Sequence, residues 1–429
     1  MSPWPVLLVA FAILSFGAIS KRVERTPLTP PIFFVAMGCL VSDHGLNLLP
    51  IEVTSAQVHS IAELTLILVL FTDSSRIDLR CLRREGALPL RLLAIGMPLT
   101  IALGTLIGLA ILPGVSFVEA ALLAAILAPT DAALGQAVVS SPLVPARIRQ
   151  TLNVESGLND GIALPVVLML ASLAAAADSQ VANEEVAGYW LRFAVLAVTL
   201  GPVVGVAVGW LGASGLQAGV NRGWVNEPFE RLSALGLALF AFAAAEIVGG
   251  NGFIAAFVAG LTVGNVAREI CPTLYEFGET EGQLLGLIVF LAFGAALVPT
   301  ALEHMTPLTL IYAVLSLTII RMFPVAIALL GSGLGLPSIS FLAWFGPRGL
   351  ASILFALVVV EEHEFGASHF IEGVVMLTVS LSVILHGITA YPLSERYGSS
   401  PSARLGGPET SKTDDVPVRI RHSAPSNRL

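Results

Sequence analysis

The chain reads as a succession of long apolar runs. Leu88 to Leu112 is the plainest, and it does not alternate polar with apolar positions. Strict alternation over about 10 residues would mark a strand of an outer-membrane barrel. A run of about 20 apolar residues is instead the length of a helix across a bilayer. The pattern predicts helical spans over 3–20, 30–42, 58–74, 88–112, 117–140, 151–174, 189–213, 231–249, 251–265, 282–299, 306–330, 339–360 and 370–392, thirteen in all, of which the second and ninth are short. From Leu393 onward the chain is rich in Ser, Pro, Gly and charge, which predicts a disordered tail. The expected division is a transmembrane unit over 1–392 and a tail over 393–429.

Composition strengthens this picture. Hydrophobic residues make up 55% of the chain and charged residues 12%, and mean hydropathy is +0.85. A soluble domain carries about 25% charged residues, so this chain lacks the polar side chains to coat itself against water. The fold class expected is an all-α polytopic membrane protein. A net charge of −8 gives no electrostatic basis for nucleic-acid binding. Cys39, Cys81 and Cys271 are scattered, without metal-ligand spacing, and predict no disulfide framework. No cofactor motif is present. Pro3 to Ser20 lacks a basic leader and runs into Lys21, Arg22 and Arg25, so it reads as a first span rather than a cleaved signal.

The basic residues orient the spans. With the N-terminus outside, the inner loops hold Lys21, Arg22 and Arg25, then Arg76, Arg80, Arg83, Arg84 and Arg91. Later inner loops hold Arg147 and Arg149, then Arg222 and Arg231, then Arg268, and the tail holds the rest from Arg396 on. The outer loops hold none. The three left over, Arg192, Arg321 and Arg348, fall inside spans. This separation predicts an odd number of spans, N-out and C-in. Glu184, Glu185, Glu361, Glu362 and Glu364 make the outer loops acidic. They read as a solvated rim; the alternative is a funnel that concentrates cations.

Charges within the spans carry most of the functional information: Glu63, Asp73, Asp131, Glu155, Asp160, Glu246, Glu281, Arg321 and Arg348. An ionised side chain at mid-bilayer costs about 2.5–3.5 kcal/mol on insertion scales, so it is expected to be paired, to bind an ion or to line water. Asp131 sits in Ala128-Pro129-Thr130-Asp131, and the next span carries Glu155-Ser156-Gly157-Leu158-Asn159-Asp160. Glu155 and Asn159 are one turn apart and share a face, whereas Asp160 points to another neighbour. Asp160 is thus free to face a cavity while Glu155 pairs elsewhere.

Pro129 breaks its helix, because proline lacks the donor and clashes with the preceding turn. A second break lies in Gly346-Pro347-Arg348-Gly349, with Pro347 and Pro129 218 residues apart, about half the chain. Interrupted spans at matching places in two halves predict an inverted repeat with an ion site at their crossing. Two carboxylates in one dehydrated pocket repel each other, and either a cation or a proton relieves that repulsion. Competition of this kind, with the site exposed to each side in turn, yields exchange. The alternative is a polar knot that only holds helices together.

At these residues the sequence resembles the cation:proton antiporters of the NhaP/NHE type. The motifs are Ala128-Pro129-Thr130-Asp131, the Glu155 to Asp160 stretch and Trp344-Phe345-Gly346-Pro347-Arg348-Gly349, with weaker likeness in Phe71-Thr72-Asp73, Gly252 to Asn265 and Leu385-His386-Gly387. The resemblance covers roughly residues 30 to 392. It implies a NhaA-like fold in which a core domain with two discontinuous crossing helices moves against a dimerisation domain. It also implies a homodimer and the exchange of Na⁺, Li⁺ or K⁺ for H⁺. By this resemblance Asp160 is the main ion and proton carboxylate. Asp131, the Thr130 main chain and Ser156 complete the cation shell, and Asn159 ties the broken segments together. Glu155 is paired with an arginine, Arg321 first and Arg348 second. Asp73 is an accessory candidate. Relatives that carry Thr-Asp-Pro differ here, since Pro129 precedes the pair and Ala132 follows it. Glu63, Glu246 and Glu281 are assigned no role, and His386 reads as a packed polar residue rather than a pH sensor.

Electrogenic relatives carry an Asp-Asp pair and a membrane-embedded lysine. Here Asn159 fills the first place, and both lysines, Lys21 and Lys412, lie outside the spans. The expectation is electroneutral 1:1 exchange, with preference among Na⁺, K⁺ and Li⁺ left open. A carrier of organic anions would want few buried carboxylates, and a channel would need no alternating access. An enzyme would need zinc-ligand spacing or a nucleophile and base, and neither is found. The short tail points to a prokaryotic inner membrane.

Overall fold

In lipid a backbone donor or acceptor finds no water, so each span must satisfy its own. A computed structural model describes residues 4–23, 26–42, 55–80, 87–178, 184–268, 271–362 and 365–400. Every regular element among them is helical. In chain order they are α1 (Trp4–Val23), α2 (Pro30–Val41), α3 (Ser55–Ser75), α4 (Ala87–Ile111), α5 (Phe117–Ile126), α6 (Ala132–Val139), α7 (Ala146–Asp178) and α8 (Glu184–Asn221). There follow α9 (Glu227–Ile247), α10 (Gly252–Val266), α11 (Cys271–Ala292), α12 (Val298–Glu303), α13 (Pro307–Leu317), α14 (Ile319–Ala328), α15 (Leu336–Trp344), α16 (Leu350–Glu362) and α17 (Ser368–Gly398). Eight helices among the described residues are long and apolar enough to cross a bilayer. Outward-facing Leu14, Leu106 and Trp210 are exposed where a soluble protein would carry charge.

The predicted apolar stretches all fall on helices, but several are interrupted. The stretch 117–140 is α5 and α6, broken at 127–131, and the stretch 339–360 is α15 and α16, broken at 345–349. The stretch 306–330 breaks again at Thr318, where no proline or glycine stands, and π turns lie at Leu92–Gly96 within α4 and at Phe293–Leu297 between α11 and α12. At its C-terminal end, α17 passes the boundary expected at residue 392 and runs to Gly398. Tyr397 holds it there: its hydroxyl lies 2.9 Å from Ser338 Oγ, and its ring stacks on Phe341 with centroids 4.4 Å apart. The rest of the expected tail, 401–429, lies outside the described residues, as do Cys81, Arg83, Arg84 and Glu364 and the side chains of Cys271, Glu184, Glu185, Arg192 and Glu362.

The helices pack as two groups. One contains α2, α3, α9, α10 and α11, with α8 laid against α9 and α10; the other contains α4 to α7 and α13 to α17. Glycines bring backbones of the first group into direct contact. Gly260 and Gly264 of α10 lie on the backbone of Phe71 and Ser75 of α3, with no room for a Cβ. Gly38 of α2 and Gly294 of the π turn meet in the same way, Gly38 against Leu291 and Ala295. Ser74 Oγ adds a hydrogen bond to Phe257 O at 2.7 Å. Without a hydrophobic drive between helices in lipid, such close approach is a main source of association. Gly260→Leu is therefore expected to lower the thermal midpoint of the purified protein in detergent, by overpacking worth about 1–3 kcal/mol. Gly236→Leu, on α9 with nothing within 4 Å of the first added carbon, is the matched control and should not lower the midpoint.

Candidate ion-binding site

Each break leaves helix ends with unpaired backbone groups, and the two breaks satisfy one another. Asp131 N–H, at the first, donates to Pro347 O, at the second, over 2.8 Å. The Asp131 carboxylate then caps both downstream half-helices. Its Oδ1 accepts from Leu134 N–H of α6 at 3.2 Å, and its Oδ2 accepts from Leu350 N–H at the start of α16. A carboxylate at two helix N-termini meets the positive end of both dipoles. Gly349 permits this approach, because a Cβ there would run into Asp131 Oδ2. Ser352 Oγ of α16 returns the favour by donating to Ile126 O, at the end of α5, over 2.8 Å.

α7 passes beside the crossing. Asn159 Nδ2 donates to Thr130 Oγ1 at 2.7 Å, and Thr130 Oγ1 lies 2.9 Å from Ser156 Oγ. Thr130, Ser156 and Asn159 are thus gathered into one buried cluster. Asn159 reaches only the first break; the two breaks are joined by Asp131 itself, whose amide and carboxylate sit between them. Asp160, one residue on, faces differently. It is buried, and its Oδ1 has no hydrogen-bond partner among the described residues.

Asp131, Asp160, Thr72 and Asp73 line one cavity of about 1220 Å³, whose wall also includes Lys21, Arg76 and Glu395 at helix ends. The cavity lies between the two helix groups, since its wall draws on α3 and α11 from one and on α6, α7 and α16 from the other. Gly157 and Gly161 seat α7 against Asp73 of α3 and the ring of Phe257 of α10. A carboxylate that lines such a cavity can take up either a proton or a hard cation.

On the opposite face of α7, Glu155 pairs with Arg321 of α14 at 2.6 Å, both buried. Arg348 lies close to this pair and forms no ion pair of its own among the described residues. Its side chain donates to Gly346 O, its backbone N–H donates to Ser382 Oγ at 2.7 Å, and Arg321 packs on Gly346. The C-terminal end of α15, just before the break, supplies a compensating negative dipole. Of the remaining charges, Glu246 Oε1 caps α10 by accepting from Gly252 N–H at 2.7 Å. This role escaped the sequence reading, although the adjoining Gly249-Gly250-Asn251 turn signals a helix start. Asn265 ties the far end of α10 to the chain after α3, donating to Ile77 O at 2.8 Å and accepting from Leu79 N–H at 3.0 Å. Glu63 and Glu281 are half-buried on α3 and α11.

Breaking a buried ion pair at one partner strands the other and costs about 3–5 kcal/mol. Glu155→Gln should therefore lower yield and thermal midpoint sharply. Combining it with Arg321→Met should recover part of the loss, as read by thermal unfolding in detergent.

The sequence profile of the family described as sodium/hydrogen exchanger, transmembrane, matches residues 9–396. Among curated proteins, the chain is 28% identical over 409 residues to the K(+)/H(+) antiporter NhaP of Alkalimonas amylolytica, covering 93% of this chain and 67% of that protein. It is 29% identical over 217 residues to the Na(+)/H(+) antiporter NhaS2 of Synechocystis sp., covering 49% of this chain and 38% of that one. The fold is similar to the solved structure of the sodium proton antiporter MjNhaP1 from Methanocaldococcus jannaschii at pH 8, with a TM-score of 0.74 and 19% identity over 92% of this chain and 99% of that one. With the family profile running through nearly every helix described above, this chain belongs to the transmembrane sodium/hydrogen exchangers.

Proposed function

We propose that the protein exchanges a monovalent cation for a proton, one for one, at Asp160 with Asp131 beside it. The observation that carries this reading is that Asp160, a buried carboxylate whose Oδ1 has no hydrogen-bond partner among the described residues, lines the same cavity as Asp131. Asp131 is already held by two helix N-termini, so Asp160 is the group left to change partners. The carboxylic acid releases its proton, the carboxylate takes the cation, and the site carries the same net charge in either loaded form. Thr130 and Ser156 stand behind it as further oxygens. The names of the relatives, which include K(+)/H(+) and Na(+)/H(+) antiporters, support this class of exchange and leave the choice among Na⁺, K⁺ and Li⁺ to experiment.

The helix group holding both breaks is the part that moves, and the group around α3, α10 and α11 is the fixed part through which a homodimer forms. Two contacts favour an inverted repeat. α10 lies on α3 at Phe71 to Ser75, and α2 lies on the stretch Leu291 to Ala295, about one repeat later. With thirteen crossings and the N-terminus outside, Lys21, Arg76 and Glu395 fall on the inner side, so the cavity opens inward. The membrane is a prokaryotic inner membrane. The absence of a lysine from the interior of the spans, Lys21 standing in the last turn of α1, and the presence of Asn159 support an electroneutral cycle.

The test is a proteoliposome assay with an internal pH dye, adding Na⁺, K⁺ and Li⁺ in turn. At least one should drive proton movement, at a rate indifferent to an imposed membrane potential. Asp160→Asn should reduce exchange to that of empty liposomes while eluting like the unaltered protein. Exchange by Asp160→Asn, or a rate that follows the potential, would overturn the reading.

A further inference from the structure

Each break is held by polar side chains of the span that follows it. At the first, Ser156 and Asn159 of α7 hold Thr130. At the second, the holders are Ser382 and His386, one turn apart on α17. Ser382 Oγ accepts from Arg348 N–H at 2.7 Å. Its own hydrogen is then free for His386 Nδ1, 3.2 Å away. The other ring nitrogen, Nε2, lies 3.0 Å from Trp344 O, while Nδ1 also lies 3.1 Å from Ser382 O; a proton on Nε2, donated to Trp344 O, is the tautomer that leaves Nδ1 to accept the Ser382 hydroxyl. Trp344 ends α15, and its carbonyl, which also accepts from Gly346 N–H at 2.8 Å, takes the imidazole as a second donor. Its indole stacks on the imidazole with centroids 5.0 Å apart, and its Nε1–H donates to Thr389 Oγ1, also on α17, at 3.0 Å.

The helix α17 therefore grips the break on both sides, at Trp344 before it and at Arg348 within it. The gripped segment includes Pro347, whose carbonyl receives the Asp131 amide. It leads into Leu350, whose N–H meets the Asp131 carboxylate. His386 is 1% exposed, and the ring is not part of the cavity wall, although its neighbour Gly387 is. The charged groups that act on the ring are Arg348 and Arg321.

We propose that Ser382 and His386 are positioning residues for the ion site: a neutral, hydrogen-bonded strut that fixes the unwound segment 345–349 and, through it, the place of the Asp131 carboxylate. His386 is not a proton carrier. This rests on Asp131 standing beside the transported cation, as proposed above.

The experiment measures exchange rate against cation concentration over a range of pH in proteoliposomes. It compares the unaltered protein with His386→Gln, whose amide nitrogen can stand in for Nε2, and with His386→Leu and Ser382→Ala. Loss of one buried hydrogen bond in the strut should raise the cation KM about five- to tenfold, with the maximal rate within about twofold. His386→Gln should keep KM within about twofold of the unaltered protein and leave the pH profile in place. The proposal is overturned if His386→Leu or Ser382→Ala keeps the original KM, or if His386→Gln displaces the pH profile or fails as fully as His386→Leu. Should His386→Leu not fold, Ser382→Ala and His386→Gln decide on the same criteria. An unaltered protein that moves no cation would remove the exchange reading and this proposal together, whereas active protein with indifferent variants removes this proposal alone.

Discussion

Helix ends buried in lipid have no water to satisfy them, and this protein buries four of them at one crossing. Prolines at 129 and 347 break two helices, and the amides and carbonyls released there must find partners within the protein. Asp131 supplies them: one amide and two carboxylate oxygens serve three groups on the two broken segments. Around this knot stand Ser352 on the end of α5, Ser382 and His386 on the second break, and Asn159 and Ser156 on the first. Irregular backbone is tolerated at this depth because it is enclosed by protein and faces a cavity.

A division of labour between the two aspartates follows. Asp131 has its oxygens committed to helix ends, which fixes its position at the crossing. Asp160, on an unbroken helix, lines the same cavity, and its Oδ1 has no partner among the described residues. In the exchange proposed above, one held carboxylate beside one without such ties lets occupancy change at a single group. The Glu155–Arg321 pair lies on the other side of α7 and holds that helix to α14. Ion chemistry and structural charge are thus separated by the helical turn between residues 155 and 160.

The apolar runs locate the helices well, because a bilayer demands long uninterrupted segments and the sequence carries little else. The charges inside those runs likewise mark the site, since such residues are expensive in lipid and rarely lack a reason. Other features depend on contacts that no local pattern records. The break at Thr318 has no proline or glycine to announce it. The extension of α17 to Gly398 depends on Tyr397 finding Ser338 and Phe341, 59 and 56 residues earlier. The tie between the breaks was expected from Asn159 by resemblance, yet it falls to Asp131, because only the folded crossing shows which side chain lies between the two ends. The cap that Glu246 gives α10 and the grip of α17 on the second break are of the same kind.

The central claim is that hydrogen ion and metal ion occupy the same carboxylate site and exclude one another. Its most direct test is the apparent affinity for the transported cation, measured in liposomes at successive pH values on the acidic side of the activity range. Competition predicts that KM rises about tenfold for each unit of acidification, while the rate at saturating cation stays constant. A KM indifferent to pH, with the saturated rate falling instead, would mean that the proton acts somewhere else and would contradict the account.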